Sequence, residues 1–527
     1  MPEVDGGSLW ELVERRAEAT PGALAAVDED GRTLTWAEAK AEAERAAAGF
    51  ARLGVGAGDV VSWQLPTWIE SKVLVLALAR LGAIQNPMLP IYREREVGFI
   101  VRQARSKLLV VPSTWAGFDF EAMARSIAAQ VADEGGSLQV LVADRALPQG
   151  DPSTLPPPPD PADEPVRWYF YTSGTTSDPK GAQHTDRTIL ASAKGMNACL
   201  EVTAEDKNAV VFPFTHIGGI GWLFSALVVG FPTVYIERFD PQRTIELIRE
   251  HGVTMAGAGT PFHMAYLAAQ RQLPEGERLF PKVRVYCGGG APKPPQLHYD
   301  IKAEMGGVGI VSGYGLTEAP IVAMGTVHDT DEQLAHTEGR ATGSVRLRVV
   351  TLDGKEAGID EEGEVRVKAP QVMKGYLDSS LDAEAFDEDG WFRTGDLGRI
   401  DADGMVTITG RVKDIIIRNM ENISAKEVED VLYTHPDVAD VAVIGVPDPK
   451  TGERVCAVVV PKDPEHPLTF EAMVEHCRAA GLMTQKLPER LEIVEQLPRN
   501  PTGKILKFEL RSRFGTDRIG TGGSDPS

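Results

Sequence analysis

The chain has 527 residues, a length that one hydrophobic core rarely serves, so at least two domains are expected. Hydrophobic residues make up 43% and charged residues 25% of the sequence, which is ordinary for a soluble globular enzyme. The net charge of −22 disfavours general nucleic-acid binding, which needs a positive surface, although a local basic site can still bind an anion.

Cysteine usage and the N-terminus indicate a cytoplasmic protein. The four cysteines are scattered without a C-x-x-C pair, which argues against a structural zinc or disulfide framework and fits a reducing compartment. The N-terminal stretch MPEVDGGSLWELVERR has no apolar core, so no signal peptide is expected. Residues 217–236 are apolar, but Gly230 and Pro232 interrupt them, which favours a buried helix, a turn and a buried strand over a membrane span.

The first half of the chain alternates between helical and strand patterns. A helix rich in strong helix formers is predicted over 35–53, a strand over 59–65, a helix over 68–82 and a strand over 107–113. This βαβ alternation predicts α/β subdomains with mixed sheets and helices on their faces. The Pro-rich stretch 146–165 is interpreted as a surface loop, because the pattern is alike on both sides.

A polar loop follows the predicted strand VRWYF (166–170). The stretch YTSGTTSDPKGAQHT (171–185) is rich in hydroxyl residues and contains Gly174 and Lys180. Consecutive backbone N–H groups and hydroxyls make a donor surface for phosphate oxygens, and glycine lets the backbone approach a ligand closely. The spacing is not that of a P-loop, and by composition alone a simple polar turn remains an equal alternative.

The last part of the chain changes character after residues 408–417. Its elements are short and mixed, and Ser424 and Glu427 have the spacing of a capping box for a helix. We therefore expect a large N-terminal domain over 1–411, a small mobile α+β domain over 412–515, and a disordered tail over 516–527.

Four further motifs follow the polar loop in order: VSGYGLTEAP (311–320), WFRTGDLG (391–398), GRVKD (410–414) and PRNPTGKILK (498–507). Together the five resemble the motif series of the adenylate-forming enzymes: acyl-CoA synthetases, firefly luciferase and peptide-synthetase adenylation domains. The resemblance covers essentially the whole chain. It is nearest to bacterial acyl-CoA synthetases such as cyclohexanecarboxylate–CoA and fatty-acid–CoA ligases.

The resemblance implies a two-step reaction with ATP, Mg²⁺ and CoA. A carboxylic acid attacks the α-phosphate of ATP to give acyl-AMP and pyrophosphate, and a thiol, usually that of CoA, then displaces AMP. The implied partners are a small carboxylic acid and CoA, without nucleic acid or an integral membrane span, and a homodimer is compatible with the family.

The resemblance also assigns the nucleotide site. The implied nucleotide-binding residues are Thr172, Ser173, Gly174, Thr175, Thr176, Lys180, Gly289, Gly290, Ala291, Pro292, Tyr314, Gly315, Asp396 and Arg411. In this assignment the polar loop holds the β- and γ-phosphates, Tyr314 stacks on adenine, and Asp396 with Arg411 binds the ribose.

Catalytic roles are implied for Thr317, Glu318, His216 and Lys504. Thr317 contacts the α-phosphate, and Glu318 holds Mg²⁺, a hard ion that suits a carboxylate with phosphate oxygens. Lys504 bridges the substrate carboxylate and the α-phosphate, and Lys413 is the hinge about which the small domain rotates. Without the resemblance, Thr317 reads as a helix cap, Asp396 as a turn residue and Lys504 as a solvated surface charge.

The acyl pocket is expected around FPFTHIGGIGWLF (212–224). The implied lining residues are His216 as its gate, Ile220, Gly257, Thr260, Gly288 and Gly313, and a structural histidine is the weaker alternative for His216. Amino-acid-activating relatives carry an aspartate just after this point to pair with the substrate ammonium group. Here that stretch reads IGGIGW, so an apolar acid without an amine is favoured.

One position departs from the family pattern. Glycine is usual seven residues after the hinge, near the pantetheine channel, and this chain has Met420 there. Three readings remain open: an acyl-CoA synthetase, an acyl-AMP ligase that serves a carrier protein or another acceptor, and a non-catalytic nucleotide- or acyl-binding protein. The presence of Lys504, Glu318 and Asp396 argues against the third.

Overall fold

The computed structural model describes residues 2–172, 179–290, 293–418, 421–500 and 503–515, and of Glu421 the backbone alone. Helices and strands alternate through the large N-terminal part of the chain, as predicted. The first helices are α1 (Leu9–Ala19), α2 (Trp36–Arg52), α3 (Ile69–Leu81), α4 (Glu94–Gln103) and α5 (Phe120–Asp133). The first strands are β1 (Leu24–Asp28), β2 (Thr33–Thr35), β3 (Val60–Trp63), β4 (Ile84–Pro87), β5 (Leu108–Val111), the paired β6 (Thr114–Trp115) and β7 (Phe118–Asp119), and β8 (Gln139–Val142).

The middle of the chain continues the same alternation. Its helices are α6 (Asp186–Leu200), α7 (Ile217–Val229), α8 (Pro241–Glu250), α9 (Thr260–Gln270), α10 (Pro295–Met305) and α11 (Asp331–His336). Its strands are β9 (Trp168–Thr172), β10 (Lys180–His184), β11 (Asn208–Val210), β12 (Thr233–Tyr235), β13 (Met255–Gly257), β14 (Val285–Gly289), β15 (Ile310–Tyr314), β16 (Ala323–Met324) and β17 (Arg340–Ala341).

The last part contains an antiparallel sheet and then the predicted small α+β unit. The sheet consists of β18 (Arg346–Val350), β19 (Gly363–Lys368), β20 (Phe392–Ile400) and β21 (Val406–Arg411), with the short helix α12 (Asp382–Ala385) before β20. The small unit contains β22 (Ile416–Arg418), β23 (Glu421–Ile423), α13 (Ala425–Tyr433), β24 (Val438–Asp448), β25 (Gly452–Pro461), α14 (Phe470–Ala479), β26 (Arg490–Ile493) and α15 (Lys507–Phe514).

Two mixed sheets form the large part, which confirms the predicted α/β class. A nine-stranded sheet has the order β17-β16-β15-β14-β13-β11-β12-β1-β2, and its six central strands are parallel. A six-stranded sheet has the order β10-β9-β4-β3-β5-β8 and is parallel except for the β9–β10 hairpin. One apolar cluster joins both sheets with α2, α3, α6 and α7, so these helices lie in a core that the two sheets share.

The apolar stretch 217–236 forms the predicted helix, turn and strand. Helix α7 ends at Gly230, whose φ of +103° is a left-handed conformation that favours glycine, and β12 follows. Most residues of α7 are buried on all sides of the helix, because α7 lies inside the shared core rather than at a surface. Among the described residues, none of the helices combines the length and the apolar character that a membrane span requires.

The predicted capping box of α13 forms only in part. The Ser424 hydroxyl accepts from the backbone N–H of Glu427 and donates to the carbonyl of Thr409, 2.5 Å away. The Glu427 carboxylate pairs instead with Lys486, at 2.6 Å. A lysine that is distant in sequence therefore takes the carboxylate that the local pattern assigned to the helix start.

Lys72 lies in the shared core without exposure to solvent. Its Nζ donates to the carbonyl of Ala25 at 2.9 Å and lies 4.3 Å from the ring centroid of Trp36. Burial lowers the pKa of the Lys72 amine to about 7. In the unfolded chain a lysine titrates near pH ~10.4, so the unfolded state binds this proton over a range where the folded state does not.

We expect the Lys72 amine to make folding more stable as pH rises from about 7 to about 10. Lys72→Met keeps the apolar stem and removes the titrating group, so the variant should have the higher thermal midpoint near neutral pH. Parallel thermal unfolding of both proteins across this range should show the difference shrinking as pH rises. A difference that stays constant with pH would contradict the assignment.

Candidate functional site

A cavity of about 1000 Å³ lies where the nine-stranded sheet, the antiparallel sheet and the small unit meet. It brings together most residues that the sequence predicted for the site. Those that line it are Thr172, Lys180, His216, Gly257, Thr260, Gly288, Gly289, Gly290, Gly313, Tyr314, Gly315, Thr317, Glu318, Asp396, Arg411, Lys413 and Lys504. Ser173, Gly174, Thr175, Thr176, Ala291, Pro292 and Met420 lie outside the described residues.

Ile220 is not among the lining residues, contrary to the prediction. It has no exposure and packs in the shared core. The cavity side of α7 presents Ile217, Gly218, Gly221 and Trp222. Each helical residue advances by about 100°, so position 220 falls outside the stripe that these four form. A linear motif cannot show this, because the helix phase decides which side faces the cavity.

The floor of the cavity is the carboxyl edge of neighbouring parallel strands. Strands β13, β14 and β15 end together there, and Gly289 pairs with Gly313 in register. A Cβ at Gly289 would stand 2.8 Å from the Gly313 carbonyl oxygen, and one at Gly315 would stand 2.3 Å from the backbone nitrogen of Ile321. Glycine is needed at these positions because the backbones approach so closely.

Asp396 is held by two donors from different sheets. Its Oδ2 accepts from the Tyr314 hydroxyl at 2.9 Å, and its Oδ1 accepts from Arg411 Nε at 2.8 Å. Asp396 and Arg411 face each other across β20 and β21, and Tyr314 ends β15. Burial, with the Asp396 charge beside it, raises the pKa of Tyr314 well above its usual range, which keeps the hydroxyl a donor. Both carboxylate oxygens are therefore fixed at the cavity wall.

Glu318 and Lys180 share one tyrosine at the opposite wall. The Tyr376 hydroxyl donates to Glu318 Oε1 at 2.8 Å, and Lys180 Nζ lies 5.4 Å from the Tyr376 ring centroid. Burial, reinforced by the Glu318 charge, raises the pKa of Tyr376, so it remains a donor to the carboxylate. One tyrosine therefore contacts both a carboxylate and a cation that line the cavity.

A buried histidine, missed by sequence reasoning, holds the segment before Glu318. His184 Nε2 lies 2.9 Å from the Thr317 carbonyl oxygen, and its Nδ1 lies 3.0 Å from Thr188 Oγ1. Burial lowers the pKa of His184 to about 4, so the ring is neutral, and Nε2 donates because a carbonyl can only accept. His184 is the second-to-last residue of the polar stretch 171–185, but its sequence context contains no signal for this contact.

Tyr376 and Lys293 are further cavity residues that the sequence analysis did not identify. Lys293 directly follows the GGGAP stretch, and its position there is the one available signal. It is buried, lines the cavity, and burial lowers the pKa of its amine.

His216 lines the cavity and also caps α7. Its Nδ1 accepts from the backbone N–H of Gly218 at 3.1 Å. Its ring packs edge to face on Phe212, with 6.2 Å between the ring centroids. Burial lowers the pKa of His216 to about 4, so the ring is neutral near physiological pH. The structural role and the predicted gate position therefore coincide in one side chain.

An apolar branch of the cavity runs between α6 and α7. The residues of these helices that line it are Ile189, Ser192, Ala193, Met196, Ile217, Gly218, Gly221 and Trp222, and none of them carries a charge. The contribution of α6 was not predicted, although its apolar residues 189, 193 and 196 have helical spacing.

Lys504 reaches the cavity on a loop of the small unit. Gly503, with φ +83°, brings this loop so close to α9 that a Cβ there would stand 2.7 Å from Pro261 Cγ. Burial, with the positive charge of Arg411 beside it, lowers the pKa of the Lys504 amine to about 8. The amine is thus held near the Asp396–Arg411 pair.

Lys413 lies in a one-turn 3₁₀ helix, Val412–Asp414, that joins the antiparallel sheet to the small unit. Asp414 in this turn pairs with Arg511 of α15 at 2.8 Å. A single short turn between two sheets suits the predicted hinge. The domain boundary at 411/412 and the rotation about it remain predictions.

Mg²⁺ fits the donor set of the cavity. Within the described ranges, no three His, Cys, Asp or Glu side chains cluster as an all-protein metal site. Mg²⁺ is commonly bound through one or two carboxylates with substrate phosphates supplying further oxygens, and Glu318 offers one such carboxylate.

Comparisons with known proteins identify relatives along nearly the whole chain. The family described as AMP-binding enzyme matches residues 13–377, and the AMP-binding enzyme C-terminal domain matches residues 427–504. A medium-chain fatty-acid–CoA ligase of Escherichia coli (strain K12) is 31% identical over 517 residues, which cover 96% of this chain and 90% of that protein.

A second relative is described by a different activity, and a solved structure is similar to nearly the whole chain. A salicyl-AMP ligase/salicyl-S-ArCP synthetase of Mycobacterium tuberculosis (strain ATCC 25618 / H37Rv) is 31% identical over 528 residues, covering 97% of this chain and 91% of that protein. The crystal structure of ATP-bound MatB from Rhodopseudomonas palustris has a TM-score of 0.87 at 27% identity, covering 97% of this chain and 99% of that one.

The environment of Lys504 predicts an amine that is reactive at unusually low pH. Labelling with an amine-specific reagent, quantified by mass spectrometry of the Lys504 peptide, should show a midpoint near pH 8 in the folded protein. The same peptide labelled after denaturation serves as control and should titrate near pH ~10.4. Equal midpoints in the two states would contradict the placement of the amine.

Proposed function

The chain belongs to the AMP-binding enzyme family, and from this premise we propose that it activates an apolar carboxylic acid with ATP and transfers the acyl group to CoA. One observation carries the proposal. A single cavity brings the fixed carboxylate of Asp396, the Glu318 carboxylate and the Lys504 amine next to an uncharged branch. Nucleotide, metal and an apolar acid can therefore be held in one place.

In the first half-reaction a carboxylate oxygen of the acid attacks the α-phosphorus of ATP. The bond from that phosphorus to the bridging oxygen breaks, and pyrophosphate leaves with the electron pair. Lys180 binds the departing phosphates, and the Lys504 ammonium group offsets the negative charges of acid and α-phosphate. Mg²⁺ held by Glu318 would neutralise further charge on the phosphates.

The nucleotide is oriented from both sides of the cavity. Asp396, already fixed by Tyr314 and Arg411, accepts from the ribose hydroxyls. A carboxylate held by two donors loses little further freedom when it binds, so orientation costs little at that moment. The glycine backbones of 288–290, Gly313 and Gly315 leave room for the base.

In the second half-reaction the thiolate of CoA attacks the acyl carbonyl carbon, and AMP leaves. We propose that rotation about the turn containing Lys413 withdraws Lys504 and opens the thiol path, to which the family resemblance assigns Met420, a residue outside the described ranges. Methionine is unbranched and flexible, so it narrows that path without closing it.

The branch between α6 and α7 supports an apolar acid as the substrate. Its α6 and α7 residues supply no carboxylate to pair with a substrate ammonium group. An unpaired ammonium in such a branch would cost several kcal/mol, so zwitterionic amino acids are disfavoured. Alicyclic, aromatic and medium- to long-chain acids fit this chemistry.

A carrier protein is the alternative acyl acceptor. Two observations favour it: Met420 stands where the family usually has glycine, and one relative is described as a salicyl-S-ArCP synthetase. Single-turnover decay of preformed acyl-AMP on adding CoA separates the two acceptors, because the carrier-dependent enzyme would show no CoA-dependent decay.

Replacing Lys504 by alanine should separate the half-reactions. Because the variant lacks the Lys504 charge, its rate of ATP–pyrophosphate exchange should fall about 10²–10³-fold, the scale of losing one preorganised stabilising group. Conversion of supplied acyl-AMP with CoA should stay within about threefold of wild type, since that step follows after Lys504 withdraws.

Lys355→Ala provides the matched control, because this lysine is exposed and pairs only locally with Asp353. It should leave both half-reactions at wild-type rates. Near-normal ATP–pyrophosphate exchange in Lys504→Ala would contradict the role assigned to Lys504 in the first half-reaction. Absence of exchange in wild type with every acid tried would count against the proposed function itself.

The apolar branch predicts which acids are accepted. A Cβ placed at Gly221 would meet no described atom within 4 Å, so a side chain there projects into open cavity. Gly221→Phe should therefore reduce kcat/KM for bulky or long acids about tenfold or more and largely spare short ones, since it shortens the space available. Gly221→Ala, which also suits a helix better, should retain the wild-type order.

An exchange panel of short, long, alicyclic and aromatic acids, with common amino acids included, provides the measurement. We expect no exchange with amino acids in any of the three proteins. Strong exchange with an amino acid and none with apolar acids would overturn the substrate class. An equal reduction of kcat/KM for acids of every size in Gly221→Phe would show that the acyl group does not bind in the apolar branch.

A further inference from the structure

The loop that carries Lys504 is held by its own hydrogen bonds. The side-chain oxygen of Asn500 accepts from the Lys504 backbone N–H at 2.9 Å, and the Asn500 N–H donates to the Lys504 carbonyl at 2.9 Å. Gly503 N–H donates to the Asn500 carbonyl at 2.8 Å, and Arg499 and Ile505 form an antiparallel bridge. The Lys504 main chain is therefore closely fixed relative to Asn500 and Arg499.

Arg499 ties this loop to the sheet of the small unit. Its Nη2 donates to Asp440 Oδ2 at 2.7 Å, and its Nη1 donates to the carbonyl of Gly503. One planar guanidinium thus joins a strand side chain to the residue directly before Lys504. The side chains of Arg499 and Asp440 are only 23% and 22% exposed, so water screens this pair less than a surface pair.

A β-bulge aims Asp440 at the loop. In the pairing of β24 with β25, Val438 faces Pro461 and Asp440 faces Val460, so the register shifts between them. A bulge bends a strand and redirects side chains, often next to active sites. Val441 behind it is buried in the core of the small unit, which anchors the strand. Asp440 and Arg499 both line the cavity.

We propose that the Asp440–Arg499 pair is a positioning device that sets where the Lys504 amine stands in the cavity, so that Arg499 acts through Lys504 without contacting the reacting atoms. The expected effect of this pair on activity rests on the proposed function of the cavity. Arg499 suits the task better than lysine, because its fork binds a carboxylate and a carbonyl at once.

The loss of this pair has a defined consequence for Lys504. The charged groups that act on the amine are Arg411, Asp396, Lys413 and Asp414, from β20, β21 and the connecting turn. A loop without the pair would let the amine move away from these groups and into water. Misplacement of a reacting group by about 1 Å can cost on the order of 10²-fold in rate.

The test uses the full-length protein with Arg499→Ala, Arg499→Lys and Asp440→Asn. Arg490→Ala is the matched control, because Arg490 also pairs with a carboxylate, Glu492 at 2.7 Å, and donates to a backbone carbonyl, that of Phe514 at 2.9 Å, in the same small unit. The two readouts are the pH midpoint of Lys504 amine labelling, which needs no substrate, and the rates of the two half-reactions.

We expect Arg499→Ala and Asp440→Asn to raise the labelling midpoint of Lys504 from about 8 toward ~10.4, while Arg490→Ala leaves it unchanged. Acyl-AMP formation should fall about 10- to 100-fold in kcat, with KM for ATP and the rate from supplied acyl-AMP within about threefold. Arg499→Lys should show a smaller loss than Arg499→Ala, since lysine keeps a positive charge beside the Asp440 carboxylate but lacks the forked guanidinium group.

A folded Arg499→Ala with an unchanged midpoint and unchanged kcat would overturn the inference, and so would equal effects in Arg490→Ala. Should Arg499→Ala not fold, Asp440→Asn carries the same decision. A wild type without pyrophosphate exchange would count against the proposed function, and the labelling arm would still decide whether the pair positions Lys504.

Discussion

The hydrogen-bonded cluster of Tyr314, Asp396 and Arg411 connects the parts of the molecule on which the site depends. Tyr314 ends a strand of the nine-stranded sheet, whereas Asp396 and Arg411 face each other in the antiparallel sheet. The hinge-like turn begins directly after Arg411, and the Lys504 loop of the small unit lies against the same cluster. Because the carboxylate is buried, it is stable there only while its donors remain, and this couples the nine-stranded sheet to the antiparallel sheet energetically.

The cavity is far less acidic than the chain as a whole. The chain carries a net charge of −22, whereas the cavity, among the residues that the structure describes, is lined by ten lysines and arginines and by nine aspartates and glutamates. Low-dielectric walls strengthen the field of each of these groups, so an anionic nucleotide meets a nearly balanced cavity rather than the net negative charge of the whole chain. Burial and the nearby positive charge of Arg411 disfavour the protonated form of the Lys504 amine and lower its pKa to about 8.

Polar residues to which the motif series assigned no role hold the catalytic candidates in place. His184 fixes the carbonyl of Thr317, Tyr376 holds the carboxylate of Glu318, and Arg499 ties down the loop of Lys504. His184 contacts a residue 133 positions away in sequence, and Tyr376 one that is 58 away. Such contacts leave no periodic or spacing pattern, and they define the orientation on which the chemistry of the cavity depends.

The sequence by itself determined the α/β class and the small α+β unit, and through the family resemblance its motifs identified the residues of the cavity to which nucleotide-binding and catalytic roles are assigned. Hydrophobic periodicity reports secondary structure, and the motifs depend on local backbone geometry, so both can be read along the chain. Only the tertiary structure decided that Ile220 faces the core and Gly221 the cavity, because helix phase relative to the sheets sets this. It also decided that Glu427 pairs with Lys486 instead of completing its capping box, and that α6 contributes a wall of the apolar branch. These features arise from contacts between segments far apart in sequence, and the pairing of such segments is a property of the folded chain alone.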